Sequence, residues 1–245
     1  NLVTGEREHE NYGVTHTHKH DLIDSELAEF VLENYKLNCR ACGSNDLELV
    51  LSLGLSPLAN NLLDENNHEF SRYPLEIMKC KIEDCFNVQL SIVVPPDEMF
   101  KNYLYVSSTA ESFRLHFSKL AKKLEKDLKL NKKSVVVDIG SNDGIFLEPL
   151  NELGINSLGV EPAINVAKIA NEKKLKTYNE YFDTKTAKKI IKEHGKADLV
   201  TGFNVFAHSD KLKEIVEDAS FLLKDEGTFI FEVQYFLDTM KDLTF

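Results

Sequence analysis

The stretch V-V-V-D-I-G-S-N-D-G, from Val135 to Gly144, decides the fold. Three β-branched residues in a row suit a short buried strand, and Asp138, Gly140 and Gly144 then form D-x-G-x-x-x-G at a strand-to-helix turn. Glycine supplies the backbone freedom such a turn needs, and small side chains let a ligand approach the main chain. In a doubly wound sheet a ligand sits outside the carboxyl ends of the strands, where this turn must lie.

Downstream, strands are predicted at Ser134 to Ile139, Ser157 to Val160, Lys176 to Tyr178, Asp198 to Phe203 and Thr228 to Val233, with helical segments between them. That alternation implies a parallel sheet covered on both faces. No internal repeat is present. The second strand ends Leu158-Gly159-Val160-Glu161-Pro162. Its carboxylate lies about twenty residues past the turn, where an acid accepts both hydroxyls of an adenosine ribose. A nicotinamide dehydrogenase would carry G-x-G-x-x-G, whose second glycine admits a pyrophosphate. The position two after Gly140 is Asn142, so that match fails.

S-adenosylmethionine has no phosphate, and a tighter polar turn suits its amino acid part. The expected cofactor residues are therefore Asp138, Gly140, Ser141, Asn142, Asp143, Gly144 and Glu161. Phe182, after the third strand, is expected beside the adenine, with core packing an equal alternative. Asn204 and His208 follow the fourth strand and are expected near the cofactor, His208 having an ordinary capping role as its alternative.

Upstream, the only cysteines are Cys39, Cys42, Cys80 and Cys85, as C-x2-C and C-x4-C. Two close pairs suit a tetrahedral Zn2+ site, because each short loop turns two thiolates toward one ion. Two disulfides or four free thiols are the alternatives. Disulfides persist mainly in secreted proteins, and no secretory h-region occurs in these residues. Four thiolates fill the coordination sphere, so the metal would be structural. Leu53, Leu55, Pro57, Leu58, Leu62 and Leu63 lie in the gap and are expected to pack around the knuckles.

Between these modules, Val88 to Val94 reads as a strand stopped by Pro95 and Pro96, and Tyr103 to Thr109 as a loop. Glu111 to Leu130 reads as a long helix, with Phe113, Phe117, Leu120, Leu124 and Leu128 along one side and the lysines from Lys119 to Lys133 as a solvated face. Ser25 opens a short amphipathic stretch with Leu27, Phe30, Val31 and Tyr35. Residues 1–24, with His9, His16, His18 and His20, are expected to be a mobile leader rather than a metal site. The expected division is residues 1–24 leader, 25–110 zinc-binding domain and 111–245 cofactor domain.

The formal net charge of -11 argues against a nucleic-acid partner, since phosphate binding relies on clustered Lys and Arg. No run approaches the roughly 18 to 20 apolar residues of a membrane span, so no membrane partner is expected. A methyltransferase sheet usually has seven strands. Five are visible here, so the protein is expected to continue past Phe245 or to finish the sheet some other way.

Seven blocks in order carry a family resemblance: Cys39-Arg40-Ala41-Cys42-Gly43-Ser44, Leu53 to Asn61 (L-G-L-S-P-L-A-N-N), the second cysteine pair, Tyr103 to Ser108 (Y-L-Y-V-S-S), Ile139 to Gly144, Gly159-Val160-Glu161-Pro162, and Asn204-Val205-Phe206-Ala207-His208. The chain resembles the zinc-containing C-methyltransferases that act on nucleotide-linked deoxysugars. The resemblance implies an α/β fold, a Rossmann-like, doubly wound class I methyltransferase sheet preceded by a small zinc-binding domain. It implies S-adenosyl-L-methionine and structural zinc as cofactors, a nucleotide-sugar substrate and a cytoplasmic setting. Tyr103, Tyr105, Ser107 and Ser108 would face the substrate, with an ordinary loop between modules as the alternative. His208, with Tyr105 second, would serve deprotonation next to a ketone, ahead of enolate attack on the sulfonium methyl. A Y-H-E-H-type segment that the family carries soon after the fifth strand is not in this sequence. An O- or N-methyltransferase of a small metabolite and a non-catalytic binding module are the other classes left open.

Overall fold

The structure is a computed structural model that describes residues 25–59, 71–101 and 103–242. The expectations for the His-rich leader and for Leu62 and Leu63 lie outside the described residues. The chain forms two compact units, divided between Val94 and Pro95. That division falls ahead of the one expected at Ala110, because the segment from Pro95 to Ala110 is hydrogen-bonded to the second unit.

In the first unit, helix α1 (Ser25–Asn34) falls on the stretch expected to be amphipathic, with Phe30 and Val31 half-buried. A three-stranded antiparallel sheet follows, with β1 (Leu47–Pro57), β2 (Arg72–Cys80) and β3 (Val88–Leu90) in that spatial order. The first two strands were not expected. Strand β1 runs Leu49-Val50-Leu51 without alternation, and Pro74 interrupts β2. Pro74 is tolerated because β3 reaches only Ile77 to Lys79, so no β3 partner asks for its missing N–H. Leu53 and Leu55 point outward instead of packing around the cysteines. The strand predicted over Val88 to Val94 stops at Leu90. Beyond it the backbone turns to α1, with Lys36 N donating to Ser91 O and Val93 N to Asn34 O.

The second unit opens with α2 (Pro96–Phe100), a 3-10 turn at Ser107–Thr109 and α3 (Glu111–Asp127). Phe117, Ala121 and Leu124 of α3 are buried, and its lysines are solvated, as its pattern predicts. Five strands follow: β4 (Val135–Ile139), β5 (Asn156–Val160), β6 (Thr177–Tyr178), β7 (Ala197–Phe203) and β8 (Leu223–Glu232). All pair in parallel, in the order β6-β5-β4-β7-β8. Helices α4 (Leu147–Glu152), α5 (Ile164–Glu172), α6 (Thr184–His194) and α7 (Leu212–Leu222) connect them, and α8 (Phe236–Asp242) follows β8. The order reverses beside β4, so the crevice for a ligand lies at the carboxyl ends of β4 and β7.

Alternation within β4 divides the core. Val135, Val137 and Ile139 meet Ala187 and Ile190 of α6 and Ile215, Ala219 and Leu222 of α7. Val136 faces the other way, onto Phe117, Ala121 and Leu124 of α3 and Phe146 and Leu150 near α4. With both faces covered, β4 is buried throughout its length. No described helix is long and apolar enough to cross a membrane.

The turn after β4 is closed by Gly144, whose φ is 84° and whose missing Cβ would lie 2.4 Å from Leu175 Cδ1. Gly144→Ala combines left-handed backbone strain with overpacking, each costing about 1–3 kcal/mol. Urea unfolding of the variant is expected to give a midpoint well below that of the parent, with a similar m-value.

Candidate functional site

The metal centre is assembled by the ends of β-elements. Cys39 and Cys42 lie on a knuckle before β1, where Gly43 N donates to Cys39 O (2.8 Å) and Cys39 N to Ser44 O (2.7 Å). Cys80 ends β2. Cys85 follows in a turn that uses left-handed φ values at Asp84 (70°) and Phe86 (47°), and this absorbs the wider spacing of the second pair. The four sulfurs lie within 4.8 Å of one another, with Cys39 to Cys85 at 3.7 Å and Cys42 to Cys80 at 3.6 Å. A disulfide needs about 2.05 Å. Sulfurs around a tetrahedral zinc, each about 2.3 Å from the ion, sit about 3.8 Å apart. The geometry fits a zinc held by four thiolates. Metal analysis is expected to find one zinc per chain, and Cys80→Ser to lose it and to lower the melting temperature.

In the second unit, β4 ends at the turn Gly140 to Phe146. Asp138 does not reach the crevice. Its carboxylate is buried in the sheet and accepts a hydrogen bond from Thr201 Oγ1 of β7 at 2.7 Å. Burial raises its pKa from 3.8 to about 7, against the Thr201 bond and aided by the negative Glu161. Gly140, at φ 68°, leaves room for Val205 of the β7 turn, whose Cγ2 would be 2.5 Å from a Cβ there. Ser141 Oγ is buried without a hydrogen-bond partner, against Gly159.

Asn142 is left-handed (φ 50°) and turns its amide outward. Its Oδ1 accepts from Ser107 N (2.9 Å), and its Nδ2 donates to Tyr105 O (3.0 Å). Asp143 is fully buried, paired with Lys173 Nζ at 2.7 Å, and accepts from both the backbone N–H and the hydroxyl of Ser108. The structure thus brings five predicted residues together, Tyr105, Ser107, Ser108, Asn142 and Asp143, but as partners of one another.

Glu161 sits where β5 ends. Its Oε2 accepts from Asn142 N and its Oε1 from Ala163 N, each at 2.8 Å. Burial raises its pKa, and these two backbone bonds hold it down. An ionised carboxylate has about four acceptor positions, so two remain for a diol. That acid at the carboxyl end of the strand fits the ribose of a nucleoside cofactor.

Phe182 packs against the core beside β4 and β5, the alternative its position allowed. Asn204, also left-handed (φ 57°), bonds to the end of β8 instead of the β4 turn, with Nδ2 to Glu232 Oε1 at 3.3 Å. His208 ends a 3-10 turn, 5.8 Å from the ring of Phe100, and burial lowers its pKa below 6.5. Phe100 also meets Tyr103 at 5.9 Å, and Tyr103 meets Tyr105 at 6.4 Å. Burial and then the charge of Glu161 raise the Tyr103 pKa. A neutral imidazole and a protonated phenol therefore share the carboxyl end of the sheet.

The sequence reading missed His116 of α3 and Glu232, whose Nε2 and Oε2 approach to 3.6 Å at the same edge. Glu232 ends β8 as Glu161 ends β5, so the rule that selected one acid also selects the other. It missed Asn165 too, whose amide meets the backbone of Tyr103, and nothing in its spacing signals that role.

The raised pKa of Asp138 has a sign for stability. The proton is held more tightly in the folded chain, so its contribution is present below pH 3.8 and lost as pH rises to about 7. Asp138→Asn, which still accepts from Thr201, is expected to gain stability over the parent as pH rises through that window. Melting temperatures at pH 5 and pH 8 measure the difference.

Comparison with known proteins agrees with this architecture. A family model described as "Methyltransferase domain" matches residues 112–242, more than half of the chain, and one described as "Putative zinc binding domain" matches residues 39–100. The chain is 35% identical over 209 residues to C-methyltransferase NovU of Streptomyces niveus, covering 84% of this chain and 49% of that protein. It thus spans about half the length of that curated relative. Among solved structures, it is similar to the PH0226 protein from Pyrococcus horikoshii OT3 (TM-score 0.46, 20% identity, 61% of this chain and 63% of that one). It is also similar to an S-adenosylmethionine-dependent methyltransferase from Clostridium acetobutylicum ATCC 824 (TM-score 0.43, 22% identity, 56% of each chain). At that distance the fold rests on the chain's own strand order and on the family models. With the parallel sheet, the turn after its first strand and the domain match in agreement, the chain belongs to the methyltransferase domain family and carries a zinc binding domain ahead of it.

Proposed function

We propose that this chain is the zinc- and cofactor-binding part of an S-adenosylmethionine-dependent C-methyltransferase. Its acceptor is a nucleotide-linked keto-deoxysugar, methylated at a carbon next to the ketone. The observation that carries the reading is the grouping of Tyr103, Tyr105 and His208 beside the turn after β4, at the carboxyl end of the sheet. The name of the 35% identical relative supports carbon as the methylated atom. The four-thiol centre supports a reducing, cytoplasmic setting.

When bound, S-adenosylmethionine supplies an electrophilic methyl group. Glu161 would hold the ribose hydroxyls on its two remaining acceptor positions. The chemistry assigned to the chain is proton movement. A ketone acidifies the carbon beside it, and a neutral His208 accepts that proton. Its lowered pKa keeps the imidazole in the accepting form at neutral pH. Tyr103, held in its protonated form, donates to the oxygen on which charge develops. The Ser108 hydroxyl is engaged as a donor to the Asp143 carboxylate, so contacts to the acceptor fall to the two tyrosines.

The test uses the full-length protein with methyl-labelled S-adenosylmethionine and a 4-keto-deoxysugar nucleotide. Label on carbon is expected; label on oxygen or nitrogen, or none, would refute the reading. His208→Ala is expected to lower kcat by about 10²- to 10⁴-fold, the usual share of a general base. The acid limb of the parent's kcat profile is expected below pH 6.5, because the base is lost only when His208 takes up its proton.

A further inference from the structure

The described residues of 97–101 and 103–108 are stitched across the strand ends in their spatial order. Asp97 accepts a hydrogen bond from Tyr181 OH at 2.8 Å, in the loop after β6. Lys101 O accepts from Ile164 N at 3.2 Å, at the start of α5 after β5. Tyr105, Ser107 and Ser108 are bonded to Asn142 and Asp143 in the turn after β4. The segment is therefore a strap over β6, β5 and β4, the half of the sheet that carries Glu161.

Between these attachments, Tyr103 is held at two points by one side chain. Asn165 Oδ1 accepts from Tyr103 N at 3.0 Å, and Asn165 Nδ2 donates to Tyr103 O at 2.7 Å. This pair reproduces what a neighbouring β-strand would give. Only a primary amide presents a donor and an acceptor side by side, and Asp presents acceptors alone. With both backbone groups of Tyr103 fixed, its ring is set between Phe100 and Tyr105. Asn165 is half-buried and directs its amide to the strap, while Glu161 is held by separate bonds to Asn142 N and Ala163 N.

We propose that Asn165 is a positioning residue for the acceptor: it fixes the strap so that Tyr103 and Tyr105 stand over the carboxyl ends of the strands, and the cofactor elements do not depend on it. The inference rests on the methyltransferase reading above for its kinetic consequence and on the clamp geometry for the rest.

The experiment compares full-length parent, Asn165→Ala and Asn165→Asp by hydrogen exchange, calorimetric titration of S-adenosylmethionine and acceptor kinetics. Exchange of peptides covering residues 101–109 is expected to quicken at least about 10-fold in both variants, while peptides of β4 and β5 stay as protected as in the parent. The cofactor Kd is expected to stay within about 3-fold, and kcat/KM for the acceptor to fall roughly 10²-fold, as a small misplacement of reacting groups commonly costs. Asn165→Asp keeps the size and one acceptor, so it stays informative if the alanine variant folds poorly. Unchanged exchange over 101–109, or a cofactor Kd that weakens in step with turnover, overturns the proposal. If the parent transfers no methyl group to any keto-sugar, the functional reading fails, and exchange with cofactor titration still decides the clamp.

Discussion

One carboxylate ties the site together. Glu161 accepts hydrogen bonds from Asn142 N in the turn after β4 and from Ala163 N at the start of α5. A buried carboxylate is costly to desolvate, and those two backbone donors are what the fold offers in return. The bond to Asn142 N fixes a left-handed residue in a turn whose neighbours are glycines. Once that backbone is fixed, the Asn142 amide points away from the sheet and meets the strap at Tyr105 and Ser107. The placement of the tyrosines is thus several hydrogen bonds downstream of Glu161, within one contiguous network.

That network explains how the sequence was legible in one respect and misleading in another. Strand order, both covered faces and the ligand-bearing edge followed from β-branched runs, from alternation and from the D-x-G-x-x-x-G turn, because these are local patterns with a fixed period. The roles of individual polar residues were harder to read. Asp138, Asn142 and Asp143 lie in a motif that suggests ligand contact, yet each side chain is engaged by Thr201, by the strap or by Lys173. Whether a polar side chain faces a ligand or the protein depends on partners far away in sequence. The Asn142 to Ser107 bond spans 35 residues and Asp138 to Thr201 spans 63, and no local pattern reports such pairs.

The first unit fails in the opposite way. Its cysteines were legible because metal coordination constrains spacing. Its strands were not, because they lack the apolar alternation that a two-faced core imposes. Leu49, Val50, Leu51, Leu53 and Leu55 of β1 are all exposed, so burial selects no face of that strand. A closed four-thiolate centre compensates for a small core, since metal binding energy becomes folding energy when the unfolded chain has no preformed site. The left-handed residues Asp84 and Phe86 fit that account: strain in a turn persists where a strong local interaction over-determines it.

Electrostatics then separate the two groups at the acceptor end. Tyr103 is near Glu161, and burial with that negative charge favours the neutral phenol. His208 is exposed at its edge, and the partial desolvation of its ring, with Phe100 at 5.8 Å, lowers its pKa and favours the neutral imidazole. The same cause, loss of solvent from the ionised form, pushes the two pKa values apart, because one group ionises to an anion and the other to a cation. A donor and an acceptor of protons are thereby present together at neutral pH without an ion pair between them. Deprotonation beside a ketone needs that combination, since charge leaving the carbon must be met by a donor at the oxygen while the proton is taken elsewhere. A more acidic hydroxyl acceptor would need only the base, whereas the proposed carbon acceptor makes use of both groups, which flank Phe100.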